Sequence, residues 1–209
     1  MKSRIMQTNE LRGLPYEFGE VLPECYRAFS KAFPAALARA AERLPAMPIE
    51  SLREQWARAQ DTDRQIVVLE RRLAILFRDN ADCQKVADIP GVGLLTAMAT
   101  VAVVGDPRTF NSGREFAAWL GLVPRQTGTG GRVRQMGLSK RGDTYLRTLV
   151  MHGARSVIVQ GKRSTWIDGL LKRRPFNVAV AAVANKLERT VWAVLTRPQG
   201  YQVSPCATA

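Results

Sequence analysis

The sequence predicts an all-α protein, and three observations favour that class. Apolar residues recur at spacings of three and four along residues 48–80, 141–159 and 175–197, which places them on one face of a helix. Apolar side chains make up 46% of the chain, an ordinary share for a protein with a real core. No phosphate-loop or dinucleotide-binding fingerprint follows a predicted strand. In detail, we expect a long coiled-coil helix followed by a helical domain that contains a helix-hairpin-helix motif and a Gly/Arg-rich loop.

The charge of the chain is strongly basic and unevenly distributed. The formal net charge is +13, and residues 81–209 carry 18 basic and 7 acidic side chains, against 13 and 11 in residues 1–80. A surplus of this size predicts a polyanionic partner for the second part of the chain. A membrane surface is the alternative partner. We expect no membrane contact, because no predicted helix combines a basic face with bulky apolar anchors, and the longest apolar run, residues 92–105, is shorter than the ~20 residues of a span.

Cysteine and histidine are too few for several kinds of site. Cys25, Cys83 and Cys206 are odd in number and far apart, so they predict no disulfide framework. His152 is the only histidine, which argues against a His/Cys metal site and against most Ser-His or Cys-His catalytic arrangements. The N-terminus lacks the apolar stretch of a signal peptide. We therefore expect a cytoplasmic protein and no metal held by this chain.

Composition, together with the proline and glycine residues that end helices, divides the chain into four segments. We interpret residues 1–47 as helices together with the exit segment of a preceding domain, and residues 48–80 as one long helix. We expect residues 81–200 to form the main domain, because a Pro-Gln-Gly sequence ends the last predicted helix there. Residues 201–209 are predicted to be a disordered tail.

The helix predicted at residues 48–80 has the features of a coiled coil. Pro48 suits a first-turn position, and Ser-Leu-Arg-Glu at residues 51–54 fits a capping box. Its apolar positions recur mostly at spacings of three and four, and these are Ile49, Leu52, Trp56, Ala59, Ile66, Leu69, Leu73 and Leu76. We expect homo-oligomerisation through this helix. A spacer helix without a partner is the alternative.

A Pro-Gly-Val-Gly sequence follows Ile89 and resembles the turn of a helix-hairpin-helix motif. A short helix is expected to reach Ile89, and a second helix to begin near Leu94. Gly91 and Gly93 would then expose backbone N–H groups at a helix N-terminus, where a DNA phosphate can bind without sequence readout. The alternative is a turn that only connects two helices.

A glycine-, hydroxyl- and arginine-rich segment, residues 121–143, separates two predicted helices. It is a poor core element, but it offers N–H groups, cations and hydroxyls, which together bind phosphate. We expect a loop, and we admit a β-hairpin around residues 132–136. The basic outer face of the helix at 141–159 would continue this surface, or would simply be solvated. The predicted DNA-phosphate-binding residues are Gly91, Gly93, Arg125, Gly130, Gly131, Arg132, Arg134, Lys140, Arg141 and Arg147.

The order of these motifs is more specific than any one of them. Ile-Pro-Gly-Val-Gly at 89–93 precedes Ala-Ala-Trp-Leu-Gly-Leu-Val-Pro-Arg-Gln at 117–126, Thr-Gly-Thr-Gly-Gly-Arg at 127–132 and Gly-Leu-Ser-Lys-Arg-Gly-Asp at 137–143. This order resembles the C-terminal transposase domain of the bacterial insertion-sequence family called IS one-ten. That family includes the Piv-type invertases and the bridge-RNA-guided recombinases.

The resemblance implies a DNA recombinase built from two parts. An N-terminal RuvC-like nuclease domain would bind magnesium through four acidic residues, and the C-terminal domain would supply a serine that attacks the DNA backbone. A coiled coil would bring the two parts together across subunits. The resemblance also implies double-stranded DNA, a guide RNA and further copies of the chain as partners.

This sequence departs from the family pattern at two points. The acidic cluster of the RuvC-like domain has no counterpart, so we expect a truncated form without a cofactor of its own, and Glu10, Glu17 and Glu20 are not metal ligands. Thr129 stands before the glycine pair where the family has serine. Thr129 is therefore the candidate catalytic residue, either as the nucleophile or only as a phosphate contact, with Thr127 and Ser139 as the next candidates.

Two functions follow from these expectations. The first is a DNA-binding transposase acting in the transposition of an insertion sequence, with strand transfer by a hydroxyl nucleophile that is impaired or depends on a full-length partner. The alternative is a non-enzymatic, dimeric regulator that binds DNA through the helix-hairpin-helix motif, or binds a structured RNA.

Overall fold

The computed structural model describes residues 2–161 and 163–202. Nine α-helices, one short 3₁₀ turn and one two-stranded hairpin occur in these ranges, which confirms the predicted, mainly helical fold class. Contacts divide the chain into two units, residues 1–72 and residues 73–209. Cys206 and most of the tail predicted at 201–209 lie outside the described residues. No described helix is long and apolar enough to cross a membrane.

Three helices form unit 1, and an aromatic cluster holds them together. The helices are α1 (Lys2–Glu17), α2 (Tyr26–Ala41) and most of α3 (Ala46–Arg78). The ring of Trp56 lies 4.9 Å from that of Phe33 and 5.8 Å from that of Phe29, measured between centroids. The fully or almost fully buried residues of this core are Leu11, Phe29, Phe33, Leu52 and Ala59. Packed aromatic pairs of this kind contribute about 1 kcal/mol each beyond the area they bury.

Glu20 closes unit 1 through an ion-pair network. Its carboxylate accepts hydrogen bonds from the guanidinium groups of Arg39, at 2.6 Å, and Arg43, at 2.8 Å. These arginines, with the Arg39 hydrogen bond as the main cause, hold the pKa of Glu20 below its usual value. The carboxylate therefore has a structural partner in this unit.

The long helix α3 extends the range predicted for it by two residues at the N-terminus and ends two residues earlier. Ile49, Leu52 and Ala59 are buried in its first half. In its second half, Leu69 and Leu76 are 55% and 57% exposed in the single chain. The first half of the helix therefore buries a few apolar residues, and the second half leaves apolar residues exposed.

Six helices form unit 2, with α9 at its centre. These helices are α4 (Ala81–Ala87), α5 (Leu94–Val104), α6 (Gly113–Trp119), α7 (Thr144–Gln160), α8 (Thr165–Arg173) and α9 (Phe176–Thr196). The buried face of α9, which includes Ala184, Leu187 and Val191, packs against α4, α6, α7 and α8. The turn between α4 and α5 lies where the sequence predicts it, and the helix-hairpin-helix motif stays a prediction.

The Gly/Arg-rich segment is a β-hairpin, where we had expected a loop with a strand pair only around residues 132–136. Strand β1 (Pro124–Thr129) pairs with β2 (Arg132–Leu138) in an antiparallel ladder. The turn explains this outcome. Gly130 and Gly131 have φ values of 59° and 79°, and two consecutive residues with positive φ form the two-residue turn whose twist suits a hairpin.

Candidate nucleic-acid interface

The hairpin sorts its side chains onto two faces. Thr127 pairs with Arg134, and Thr129 pairs with Arg132. Because side chains two residues apart share a face of a strand, these two threonines and two arginines lie on the same face. Arg125 joins them, since its Nη2 lies 3.7 Å from the sulfur of Met136, which follows Arg134 on that face. We call this the basic face of the hairpin.

The basic face is exposed along its whole length. The side chains of Arg125, Arg132 and Arg134 are all exposed, and no carboxylate lies within ion-pairing distance of them among the described residues. Lys140 and Arg141, just beyond β2, are exposed as well. A projecting two-stranded ribbon with a cationic face is a shape that the major groove of DNA admits.

The base of the hairpin is fixed by close backbone packing. A Cβ on Gly121 would lie 2.1 Å from the carbonyl oxygen of Arg141, and a Cβ on Gly142 would lie 2.1 Å from that of Trp119. The amide of Lys140 also donates to the carbonyl of Gly121 at 3.2 Å. Both glycines have positive φ, of 73° and 92°. Glycine is therefore required twice where the chain enters and leaves the hairpin.

Arg147 also belongs to the base of the hairpin. Its Nη1 donates to the carbonyl oxygens of Leu120 and Arg141, at 3.3 Å each, and its Nη2 donates to the hydroxyl of Thr144 at 3.3 Å. The guanidinium thus joins the start of α7 to the segments on both sides of the hairpin. Among the predicted phosphate-binding arginines in the described residues, Arg147 is the one whose guanidinium donates hydrogen bonds to backbone carbonyl groups.

The two ends of the hairpin separate the three candidate nucleophiles. Thr129 lies beside the turn, and Thr127 lies two residues away on the same face. Ser139 lies at the base, where its amide donates to the carbonyl of Val123 at 2.9 Å. Six residues of extended strand separate Val123 from Thr129, which corresponds to about 20 Å. A phosphate at Thr129 is therefore out of reach of the Ser139 hydroxyl.

The two glycines of the α4–α5 turn differ in their surroundings. A Cβ on Gly91 would lie 2.9 Å from the carbonyl oxygen of Gly153 in α7 and 2.7 Å from a methyl group of Val157. Gly93 is exposed at the start of α5, with nothing within 4 Å of an added Cβ. Gly91 is thus required for packing on α7, and Gly93 is the glycine whose backbone faces open space.

The magnesium ion that the resemblance implies has no ligand set in the described residues. No group of three or more His, Cys, Asp or Glu side chains comes together there in a way that could hold a metal ion.

The structure also brings together basic residues that the sequence reading did not select. Arg114, Lys186, Arg189 and Arg197 line an open groove beside the hairpin. The signal was present in α9, where a second stripe of residues recurs at spacings of three and four opposite the buried one. We had interpreted only the apolar stripe of that helix.

The comparisons with known proteins agree on one family. Residues 83–167 match the family model described as "Transposase IS116/IS110/IS902 family". This range includes the α4–α5 turn, the whole hairpin and α7. Over these residues the chain matches the transposase domain of this family. The domain resemblance inferred from the order of motifs is thereby confirmed.

Curated transposases resemble the chain well beyond this domain. It is 44% identical over 208 residues to a "Probable family 20 transposase" of Pseudomonas aeruginosa, covering 97% of this chain and 62% of the relative. It is 38% identical to the "Transposase for insertion sequence element IS1111A" of Coxiella burnetii, covering 97% of this chain and 57% of the relative. For the IS1328 transposase of Yersinia enterocolitica the identity is 34%, with coverages of 94% and 60%. The chain thus spans about three-fifths of the length of these relatives.

Proposed function

We propose that this chain is the DNA-binding and strand-transfer part of an insertion-sequence transposase. The observation that carries the proposal is the basic face of the hairpin, which collects arginines and threonine hydroxyls at the centre of the transposase domain. Arginine neutralises phosphate charge, and a hydroxyl can donate to a phosphate oxygen or attack the phosphorus atom. The partner of this surface is double-stranded DNA.

The hairpin contacts DNA as a ribbon held at a rigid base. Arg125, Arg132 and Arg134 neutralise backbone phosphates, and the turn enters the groove first. The close packing of Gly121 and Gly142 fixes the direction in which the ribbon projects. Such contacts position DNA and carry no sequence information, so target choice needs a second source, for which a guide RNA is our proposal.

Thr129 is the nucleophile that we assign to strand transfer. Its Oγ1 forms a bond to the phosphorus, the bond between phosphorus and the 3′ oxygen breaks, and the hydroxyl proton ends on that leaving oxygen. Arg132, directly opposite on β2, neutralises the charge on the non-bridging oxygens. The methyl group of threonine restricts χ1 and crowds the attack, so we expect transfer to be slow in this chain. We propose that a full-length partner supplies the base or metal that activates the hydroxyl.

A covalent adduct between protein and DNA tests this assignment. The 23.2 kDa chain is incubated with magnesium, DNA carrying the insertion-sequence junction and a longer full-length relative, and the adducts are separated by mass on a denaturing gel. We expect an adduct of the short chain that disappears in Thr129→Ala and persists in Thr127→Ala. Thr129→Ser removes the methyl group and should form the adduct faster.

Two outcomes would contradict the assignment. An adduct that survives Thr129→Ala would move the nucleophile to another hydroxyl, with Thr127 as the first alternative on the basic face. An adduct confined to the full-length relative, although the short chain binds the same DNA, would identify this chain as a non-enzymatic regulator.

A further inference from the structure

A groove of about 1430 Å³ runs along the outward face of α9 within unit 2. The helix supplies half of the lining residues, and the start of α6, the base of the hairpin, Trp166 of α8 and Arg197 just after α9 supply the rest. Between Val178 and Arg197 this face is about 28 Å long, at 1.5 Å per helical residue. The groove is therefore long enough for an extended polymer.

The charges of the groove select a polyanion. Arg114, Lys186, Arg189 and Arg197 line it, and no acidic residue does. None of these four has a carboxylate within ion-pairing distance among the described residues. A concave surface with cations of one sign and apolar walls focuses its field and concentrates anions.

The floor of the groove distinguishes a single strand from a duplex. Ala181, Ala182 and Ala193 provide small apolar side chains, and Trp166 is 39% exposed with the Nζ of Lys186 4.4 Å from the centre of its ring. A duplex keeps its bases stacked inside and offers mainly phosphates and sugar edges to such a surface. An unpaired strand can place bases and sugars on the apolar floor while its phosphates meet the cations.

The same floor favours DNA over RNA. Where a ribose lies against Ala181, Ala182 or Ala193, its 2′-hydroxyl would lose water without gaining a hydrogen-bond partner from these side chains, and an unpartnered buried hydroxyl is costly. Deoxyribose has only carbon-bound hydrogen at that position.

We propose that this groove binds a single-stranded segment of DNA, about eight nucleotides long if they are stacked at ~3.4 Å each. It is a second nucleic-acid site that adjoins the basic face of the hairpin at Met136 but uses other cations, and it does not depend on Thr129. Its role follows from its position beside the hairpin, where a strand separated from the duplex would be held away from its complement.

The test compares oligonucleotide binding to matched charge variants of the full chain. Fluorescence anisotropy with a labelled ten-nucleotide oligothymidine at low salt should show binding. Lys186→Glu combined with Arg189→Glu should weaken that binding by roughly tenfold or more, because phosphate contacts dominate such affinities. Lys172→Glu combined with Arg174→Glu makes the same charge change on exposed residues that do not line the groove, and should change it by less than about twofold. Trp166→Ala should weaken binding without altering charge.

Several results would overturn the proposal. One is that the wild-type chain binds no oligothymidine at low salt, and another is that both charge variants lose the same affinity for it. Unchanged oligothymidine binding in Trp166→Ala would overturn the proposal as well. So would competition by oligouridine or duplex DNA that is as strong as competition by unlabelled oligothymidine. Arg132→Ala combined with Arg134→Ala separates this proposal from the proposed function. It should weaken duplex binding and leave oligothymidine binding within about twofold, so that either site can fail without the other.

Discussion

At the scale of single residues, Glu188 is unusual because an ionisable carboxyl group is buried in the core of unit 2. It lies on the core face of α9 with no exposed surface, and neither of its carboxylate oxygens has a hydrogen-bond partner among the described residues. Burial raises its pKa from 4.5 to about 8, because desolvation disfavours the charged form. At neutral pH this side chain is therefore mostly protonated.

Glu188 predicts that stability falls as the pH rises. Its pKa is higher in the folded than in the unfolded chain, so its contribution is complete below about pH 4.5 and is lost as the pH rises through about 8. The loss is at most about 1.4 kcal/mol per pH unit between these values. Urea unfolding at pH 6 and pH 9 should show a smaller pH effect in Glu188→Gln than in the wild type. An equal effect in both would contradict the assignment, and Glu70→Gln, which alters an exposed glutamate, is the control.

Gly142 and Gly130 give a matched pair of glycine substitutions. Both have positive φ, but an added Cβ on Gly142 meets the carbonyl oxygen of Trp119 at 2.1 Å, whereas one on Gly130 meets nothing within 4 Å. Gly130→Ala should cost about 1 kcal/mol for the left-handed conformation alone. Gly142→Ala should cost several kcal/mol, because backbone must also move. Equal melting temperatures for the two variants would show that the base of the hairpin is not closely packed.

At the scale of elements, the hairpin shows what sequence could and could not predict. The segment was correctly separated from the helices around it, because its glycines and cations break the helical spacing. Its strands were only partly anticipated, since few of its residues are β-branched and no buried face imposes alternation. The glycine pair at 130–131 was the available signal. The structure shows that this pair forms the turn of the hairpin, and its role as a phosphate ligand stays a prediction.

Features that depend on contacts between distant residues were not predictable from the sequence. Gly91 is in close contact with Gly153, which is far from it in the chain, and no local sequence pattern predicts that contact. The groove on α9 depends on α6, α8 and the hairpin meeting one helix face, which only the tertiary structure provides.

Helix boundaries were predicted less well than the helices themselves. The helix expected at 141–159 begins at Thr144, after Asp143, whose carboxylate accepts from the amide of Leu146 at 2.6 Å and caps it. The capping box expected at residues 51–54 was wrong, because α3 begins earlier, at Ala46, and places Ser51 inside the helix.

The second half of α3 predicts an oligomer. Ile66, Leu69, Leu73 and Leu76 follow the alternating three-and-four spacing of a coiled coil, and Leu69 and Leu76 are more than half exposed in the single chain. Leu69→Glu combined with Leu76→Glu should shift the mass measured by light scattering towards the monomer. As the control, Arg71→Glu combined with Arg78→Glu introduces two glutamates outside the apolar stripe of α3 and should leave the measured mass unchanged. A wild-type monomer at all concentrations would contradict the prediction.

At the scale of the whole molecule, charge and family lead to the same partner. The net charge of +13 is concentrated after residue 80, in the part that includes the transposase domain. Composition alone predicted a polyanion there, and the family narrows our proposal to DNA. Neither could locate the contact, because Arg125, Arg132 and Arg134 become one surface only when the two strands of the hairpin pair.

The salt dependence of duplex DNA binding tests the central claim, that the basic face of the hairpin holds DNA phosphates, most directly. The logarithm of the association constant should fall steeply and linearly with the logarithm of salt concentration. Arg132→Ala combined with Arg134→Ala should reduce that slope by about two, since two phosphate contacts are removed. Lys172→Ala combined with Arg174→Ala should leave it unchanged. An unaltered slope in the hairpin variant, or no binding of the wild-type chain at low salt, would contradict the account.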